Sequence, residues 1–147
     1  MKVYIDTSCL KRPFDDQTQA KIRLETEAIL MILKDVERGR FQWYGSDVLL
    51  YENRNNPNSD RRKKAAAMLA MCSVVVEFSE VIEARGTQLS RHGISALDAL
   101  HLASAEEASV ETFLTCDDRL LRRIKQSPKI FRLPAQNPVD FLKEIDL

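Results

Sequence analysis

The sequence predicts a three-layer α/β/α domain in which a parallel sheet lies between two layers of helices. Short apolar runs that suit strands occupy residues 3–5, 41–44, 73–77, 112–115 and 130–133. Longer amphipathic segments alternate with these runs, an order that is typical of parallel sheets with helices on both faces. The length of 147 residues suits one ordinary domain, so we expect 1–147 to fold as a single unit.

Apolar periodicity and capping residues predict the helices. One long helix should end near Gly39 and carry small or apolar residues at every fourth position: Ala20, Leu24, Ala28, Ile32 and Val36. Three serines can act as N-caps of later helices: Ser46, Ser79 and Ser95. A further helix should cover 61–72, and another should begin at Asp117.

The composition excludes several protein classes. Lys and Arg together number 22, as do Asp and Glu, so any nucleic-acid partner must meet a local basic patch. The three cysteines form no CxxC or Cys/His cluster, and their odd number disfavours a disulfide framework. The chain shows no signal-peptide pattern and no apolar stretch of membrane-spanning length. We therefore expect a cytoplasmic protein without membrane association.

Acidic residues follow two of the predicted strands at the point where each strand ends. Asp6 closes the first strand and Asp117 closes the fourth. Glu52 lies late in the helix after the second strand, and Asp98 lies in the first turn of a later helix. Ligands of such sheets bind beyond the carboxyl ends of the strands, where the strand order reverses. If the first and fourth strands are neighbours there, these acids share one rim of the sheet.

A cluster of carboxylates at that rim would call for a cation. Two carboxylates about 4 Å apart repel by roughly 4 kcal/mol at an effective dielectric constant near 20. The repulsion is relieved when a cation lies among them or when some of them are protonated. Oxygen-only ligation favours Mg²⁺ or Mn²⁺ over zinc.

Each acid also has a structural interpretation that needs no metal. Asp6 could cap the turn after the first strand, with Thr7 and Ser8 as alternative caps. Asp98 has the spacing of a capping box with Ser95.

The remaining acids have similar alternatives. Either Asp117 or Asp118 could be an N-cap, and Glu52 could be a solvated helix residue. His101, on an otherwise apolar helix face, is better explained as a packed or hydrogen-bonded histidine than as a metal ligand.

Taken in order, the acidic motifs resemble those of the PIN domain family. They are VYIDTS with Asp6, Glu52 in a mid-chain helix, SALDALHLASA with Asp98, and FLTCDD with Asp117; the closing NPVDFL is also similar to the tail of many such domains. No single motif is specific, but the four in order span nearly the whole chain. The resemblance implies a parallel sheet with strand order 3-2-1-4-5, which places the first strand beside the fourth.

The resemblance also implies an activity and a set of site residues. PIN domains are mostly Mg²⁺- or Mn²⁺-dependent ribonucleases, and many bacterial ones are toxins of type II toxin-antitoxin pairs of the VapC kind. The catalytic acids would be Asp6, Glu52, Asp98 and Asp117, with Asp6, Asp98 and Asp117 holding the metal. Supporting hydroxyls would come from Thr7, Ser8 and Thr115. Asp118 would fall in the first turn of the helix and act mainly on its stability.

The expected partners are RNA, a cognate antitoxin protein and a second copy of the chain in a homodimer. The chain departs from common toxin forms in the longer segment KRPFDDQTQAK after the first strand, and in Arg119, where some members carry a further acid. RNA-backbone contacts are expected from three arginines that follow the acidic site: Arg119, Arg122 and Arg123. The other basic cluster, 61–64, is more typical of a solvated helix face.

Two other functions fit parts of the pattern. A phosphatase with an aspartyl nucleophile at the end of the first strand would suit this sheet, but it would want a second acid where the chain has Ser8. A catalytically silent PIN-like module that binds nucleic acid or protein could carry the same acids without turnover.

Overall fold

The computed structural model describes residues 1–146 and contains one five-stranded parallel sheet. The strands are β1 (Lys2–Ile5), β2 (Gln42–Ser46), β3 (Val74–Val76), β4 (Thr112–Leu114) and β5 (Ala135–Gln136). Their order is β3-β2-β1-β4-β5, so the predicted order 3-2-1-4-5 and the three-layer α/β/α fold are confirmed. The first strand lies at the centre of the sheet, between β2 and β4.

The register of the central strands brings their carboxyl ends to one edge. Tyr4 pairs with Phe113 and Ile5 with Leu114. The rings of Tyr4 and Phe113 stack at 5.3 Å, and both residues are fully buried. Because the two strands are parallel and in register, the residues that follow them, Asp6 and 115–117, leave the sheet side by side.

Across residues 1–146, eight α-helices connect and cover the strands. They are α1 (Thr7–Lys11), α2 (Ala20–Glu37), α3 (Asp47–Arg54), α4 (Ser59–Leu69), α5 (Glu80–Ser90), α6 (Ala96–Glu107), α7 (Asp118–Gln126) and α8 (Pro138–Asp146). The predicted caps are confirmed, because Ser46, Ser79 and Ser95 each accept a backbone N–H from the residue three positions later. Within residues 1–146, no helix is both long enough and apolar enough to cross a membrane.

The long helix α2 forms where the sequence predicts it, but its buried face differs from the predicted stripe. Leu24 is 55% exposed, whereas Ile22, Ile29 and Ile32 are buried. A spacing of four residues drifts around a helix that has 3.6 residues per turn, so a strict four-residue repeat leaves the core after two or three turns. Gly39, at φ +81°, follows the helix as expected of a C-terminal glycine.

The fifth strand is not the predicted run 130–133. Phe131 and Leu133 are buried, but the N–H groups of Ile130 and Phe131 both donate to the Ser127 carbonyl in a turn. Pairing with β4 begins only at Pro134, whose carbonyl accepts from the Phe113 N–H at 2.9 Å. The apolar run 130–133 is therefore a loop whose side chains pack into the core. Hydrophobicity decides whether a segment is buried, but it does not decide which backbone groups pair.

Candidate functional site

Asp6 is held at the carboxyl edge of the sheet by donors from its own segment. Its backbone N–H donates to the Leu114 carbonyl (3.1 Å), which continues the pairing of β1 with β4. Its Oδ1 accepts from the Ser8 hydroxyl (2.5 Å) and from the Cys9 N–H (3.2 Å), so Asp6 is the N-cap of α1. Asp6 is 3% exposed. This burial raises the pKa of Asp6, and the Ser8 hydrogen bond offsets the effect only in part.

Asp117 lies at the matching place after β4. Its Oδ1 accepts from the N–H groups of Arg119 (3.0 Å) and Leu120 (3.1 Å), which makes Asp117 the N-cap of α7. Asp118 is in the first turn of that helix and forms an ion pair with Lys21 (3.1 Å) in which both side chains are about half exposed. The capping interpretation of Asp6 and Asp117 is thus correct, and it leaves their second carboxylate oxygens available.

Two of the predicted hydroxyls link these acids across the strands. The Ser8 hydroxyl lies 3.1 Å from that of Thr115, which in turn accepts the Asp117 N–H at 3.1 Å. Ser8 has one proton, which it donates to Asp6, so the Thr115 hydroxyl must donate to Ser8. The Ser8 oxygen also accepts the Cys116 N–H at 2.9 Å. The hydroxyls therefore fix the relative position of the two strand ends.

Glu52 projects from α3 and is held by side chains from other elements. Its Oε1 accepts from the Thr7 hydroxyl and lies 3.0 Å from Nε2 of His101. Burial raises the pKa of Glu52, but the hydrogen bonds from His101 and Thr7 outweigh this effect and bring the pKa below the usual value. Glu52 is half-buried, so its interpretation as a solvated helix residue is wrong.

His101 is the hydrogen-bonded histidine that the sequence predicts. It is 1% exposed, and its second ring nitrogen, Nδ1, lies 2.7 Å from the Tyr4 hydroxyl. The same hydroxyl lies 2.6 Å from the hydroxyl of Ser46. The ring is thus engaged at both nitrogens by Glu52 and Tyr4.

Asp98 completes the set of acids from the first turn of α6. Its backbone N–H donates to the Ser95 hydroxyl at 3.0 Å, as the capping interpretation predicts. Burial raises the pKa of Asp98, and the negative charges of Asp117 and Glu52 raise it further. Asp98 is therefore close enough to Asp117 and Glu52 for their charges to affect its pKa.

The donors at this rim suit a hard divalent cation. In the part of the chain that the structure describes, neither Asp6, Asp98 nor Asp117 forms an ion pair with a Lys or Arg. Carboxylate oxygens without a cationic partner are the ligands that Mg²⁺ and Mn²⁺ prefer. Over residues 1–146, however, no three His, Cys, Asp or Glu side chains are already gathered as an ion-binding group. The metal assignment remains a prediction.

A cavity of about 500 Å³ joins two of the acids to the predicted arginines. Asp98 and Asp117 line it together with Arg119, Arg122 and Arg123. Gly93 adopts a left-handed φ of +81° here, and a Cβ at this position would come within 3.0 Å of the Arg123 guanidinium. Glu52 and Thr7 line a separate cavity of about 290 Å³.

Sequence reasoning missed the contribution of Tyr4 and Ser46 to this site. Tyr4 was assigned only to a buried strand and Ser46 only to a helix cap. One signal was available, because a tyrosine in a central strand must find a hydrogen-bond partner for its hydroxyl. The identity of that partner depends on residues 42 and 97 positions away and could not be read from local sequence.

Comparisons with known proteins agree with the fold. The sequence profile of the PIN domain matches residues 3–126. The fold is similar to FitAcB from Neisseria gonorrhoeae, with 18% identity over 92% of this chain and 97% of that chain and a TM-score of 0.56. It is also similar to VapBC2 from Rickettsia felis, solved bound to a DNA fragment from their promoter, with 17% identity, coverage of 93% and 98%, and a TM-score of 0.56.

A search among curated proteins gave no significant match. The profile match nevertheless covers most of the chain, and it includes the segments that carry all four acids. PIN domains are generally nucleases. The sheet order and the profile agree, and this chain belongs to the PIN domain family.

Proposed function

We propose that this protein is a metal-dependent endoribonuclease and the toxin of a type II toxin-antitoxin pair. One observation carries the proposal. Each hydrogen bond that the chain donates to the carboxylates of Asp6, Glu52 and Asp117 goes to a single oxygen of that carboxylate. The second oxygen of each accepts no hydrogen bond from residues 1–146, so it could bind an external ligand. Within that range, Asp6 and Asp117 are therefore oriented by the protein without an ion pair, whereas Glu52 is also held by His101.

The metal would be held by Asp6, Asp98 and Asp117. When bound, Mg²⁺ or Mn²⁺ supplies a water of lowered pKa and neutralises charge on the phosphoryl oxygens. Ser8 and Thr115 hold two of these acids in place through the hydrogen bonds that join β1 to β4.

The remaining side chains would position the nucleic acid and the attacking water. Glu52 is ionised under the influence of His101 and can accept a hydrogen bond from the water. Arg119, Arg122 and Arg123 are exposed beside Asp117 and can bind backbone phosphates. In-line attack of the water oxygen on phosphorus breaks the bond to O3′, which takes up a proton. The products are a 5′-phosphate and a 3′-hydroxyl.

An antitoxin partner and a homodimer complete the proposal. FitAcB and VapBC2, whose folds are similar, are toxin-antitoxin proteins, which supports a protein partner for this chain. We expect expression of the protein alone in bacteria to arrest growth. Co-expression of its antitoxin should relieve that arrest.

A cleavage assay tests the activity. The purified protein should cut end-labelled single-stranded RNA with Mg²⁺ or Mn²⁺, leave 5′-phosphate ends, and stop in a chelator. Glu52→Gln should lose activity. Asp60→Asn, a charge removal at an exposed residue of α4, should keep it. Cleavage in the chelator would contradict the metal assignment, and RNA that is bound but never cut would favour a silent binding module.

A further inference from the structure

A buried series of polar side chains runs from the start of α3 to Glu52, and the proposed metal site does not use it. Ser46 accepts the Leu49 N–H at 3.1 Å, and its hydroxyl lies 2.6 Å from that of Tyr4. Tyr4 lies 2.7 Å from Nδ1 of His101, whose Nε2 lies 3.0 Å from Glu52. Ser46, Tyr4 and His101 are each 1% exposed or less. We call these three residues the Ser46–Tyr4–His101 relay.

The protons of the relay can be placed by counting donors and acceptors. An ionised Glu52 can only accept, so Nε2 of His101 must carry a proton. In the neutral ring Nδ1 then accepts, and the Tyr4 hydroxyl is its donor. Tyr4 has only one proton, so the hydrogen bond with Ser46 must use the serine proton. Every donor in the series points toward Glu52, and every bond is satisfied.

We propose that the relay positions Glu52 for the reaction and that His101 does not bind metal. Both ring nitrogens of His101 are engaged within the protein, so neither has a free lone pair for an ion. Oε1 of Glu52 is held by His101 and Thr7 together. Two donors on one oxygen fix the rotation of the carboxylate and direct Oε2 away from these donors. This inference rests on the proposed function in one respect, which is that Glu52 takes part in the reaction.

The proton count holds for any intact network, so kinetics must separate a positioning role from a purely structural one. A purely structural network would affect substrate binding and turnover alike. If the relay positions Glu52, loss of the Tyr4 hydroxyl should disturb His101 and should lower kcat more than it changes KM, because Glu52 acts on the attacking water. A misplacement of about 1 Å can cost on the order of 100-fold in rate.

The first experiment needs no activity and no metal. Nitrogen-15 NMR of the imidazole groups, with His92→Gln to assign the only other histidine, reports which nitrogen of His101 carries the proton. We expect the neutral Nε2–H form in the wild type and a changed signal in Tyr4→Phe. An Nδ1–H form, a doubly protonated ring, or a signal unaffected by Tyr4→Phe would overturn the relay.

The second experiment measures kcat and KM for RNA cleavage. Tyr4→Phe should lower kcat by about tenfold or more and leave KM near the wild-type value. Tyr44→Phe is the matched control, because Tyr44 lies on β2 outside the relay. It should leave kcat unchanged. Equal losses in the two variants, or a change confined to KM, would overturn the proposal.

Two histidine variants test the same proposal if Tyr4→Phe fails to fold. His101→Gln can still donate to Glu52, whereas His101→Leu cannot, so the glutamine should retain more of kcat at similar melting temperature. Equal kcat in both would count against positioning. If the wild type cuts no RNA at all, the proposed function fails and with it the positioning role, while the NMR result still decides the order of the hydrogen bonds in the relay.

Discussion

The two sides of the acidic rim hold their carboxylates in different ways. On the side of β1 and β4, Asp6 and Asp117 are fixed by donors two or three residues away in the chain. On the side of α3, Glu52 is fixed by Thr7 and His101, which are 45 and 49 positions away. The first arrangement is local and forms with the helix starts. The second exists only when three separate elements are packed together.

The difference separates two kinds of sensitivity. A change on the local side should act mainly through charge, because the caps persist when another acceptor replaces the carboxylate. A change on the packed side should act through geometry. The following predictions test the local side and the arginines beside it, from the largest expected effect to the smallest.

The largest effect should separate Asp117 from its neighbour Asp118. Asp117→Asn keeps an acceptor for the α7 cap but removes the charge, so RNA cleavage should be lost while stability changes little. Asp117→Ala should also lose activity and should cost about 0.5–2 kcal/mol of stability through the cap. Asp118→Ala removes only a half-exposed ion pair with Lys21, worth at most about 1 kcal/mol, and should keep most activity.

Metal titrations of all three variants on one RNA, with urea unfolding, make this comparison. Equal losses of activity at the two positions, or a greater loss at Asp118, would show that the two neighbouring acids are assigned the wrong way round.

Asp6→Asn should abolish cleavage yet make the metal-free protein more stable at neutral pH. Burial raises the pKa of Asp6 above the usual 3.8. The protonated carboxyl therefore contributes stability that is present below 3.8 and is lost as pH rises through the raised pKa. The melting temperature of Asp6→Asn in chelator should exceed that of the wild type increasingly from acidic to neutral pH.

Asp16→Asn provides a control of opposite sign. Hydrogen bonds from Thr18 lower the pKa of Asp16, so its contribution is present above the usual Asp range and is lost as pH falls. This variant should be slightly less stable than the wild type at neutral pH. A fall in melting temperature for both variants would indicate that Asp6 serves the fold alone.

Thr115→Val should reduce activity without abolishing it. The change leaves the Asp117 N–H without its acceptor, and a buried polar group left unpaired costs about 1–3 kcal/mol. Thr115→Ser keeps the hydroxyl and should stay close to the wild type. The test measures initial cleavage rates and urea unfolding midpoints of both variants. Equal values for Thr115→Val and Thr115→Ser would show that the Thr115 hydroxyl has no role in the site.

The smallest effect should come from the arginines. Arg122→Gln with Arg123→Gln should weaken RNA binding and flatten its salt dependence, by about 0.7 in the log-log slope for each lost phosphate contact. Lys63→Gln with Lys64→Gln removes the same charge from the exposed start of α4 and should leave the slope unchanged. Equal slopes for the two doubles would show that charge near Asp117 has no special role.

The local side of the rim was predictable from the sequence, and the packed side was not. Asp6 and Asp117 follow apolar runs that became β1 and β4, and strand order placed them together. Glu52 was named from its place late in a predicted helix, and the family resemblance supported it, but its partners were not predicted. The position of the Glu52 carboxylate depends on His101 of α6. The spacing of residues in the sequence indicates which face of α6 carries His101, but not which other helix that face contacts.

The errors in the fold have a similar cause. The run 130–133 was placed in the sheet because it is apolar, yet Pro134 and the turn at Ser127 shift the pairing to Ala135. Leu24 was placed in the core by a repeat of four, and it is exposed. Local patterns predicted which segments are helical or extended, whereas tertiary packing decided which faces and which backbone groups were used.

The central place of β1 affects when the site can exist during synthesis. The ribosome makes β1 first, but its neighbour β4 begins only at Thr112. Ser8 therefore cannot bond to Thr115 until β4 has been made. At about 5–20 residues per second, several seconds separate Asp6 from Asp117 on the ribosome. A nascent or prematurely terminated chain that lacks β4 carries three of the four acids but lacks Asp117, so it cannot assemble the rim. The proposed nuclease activity therefore cannot appear until nearly the whole domain has been translated.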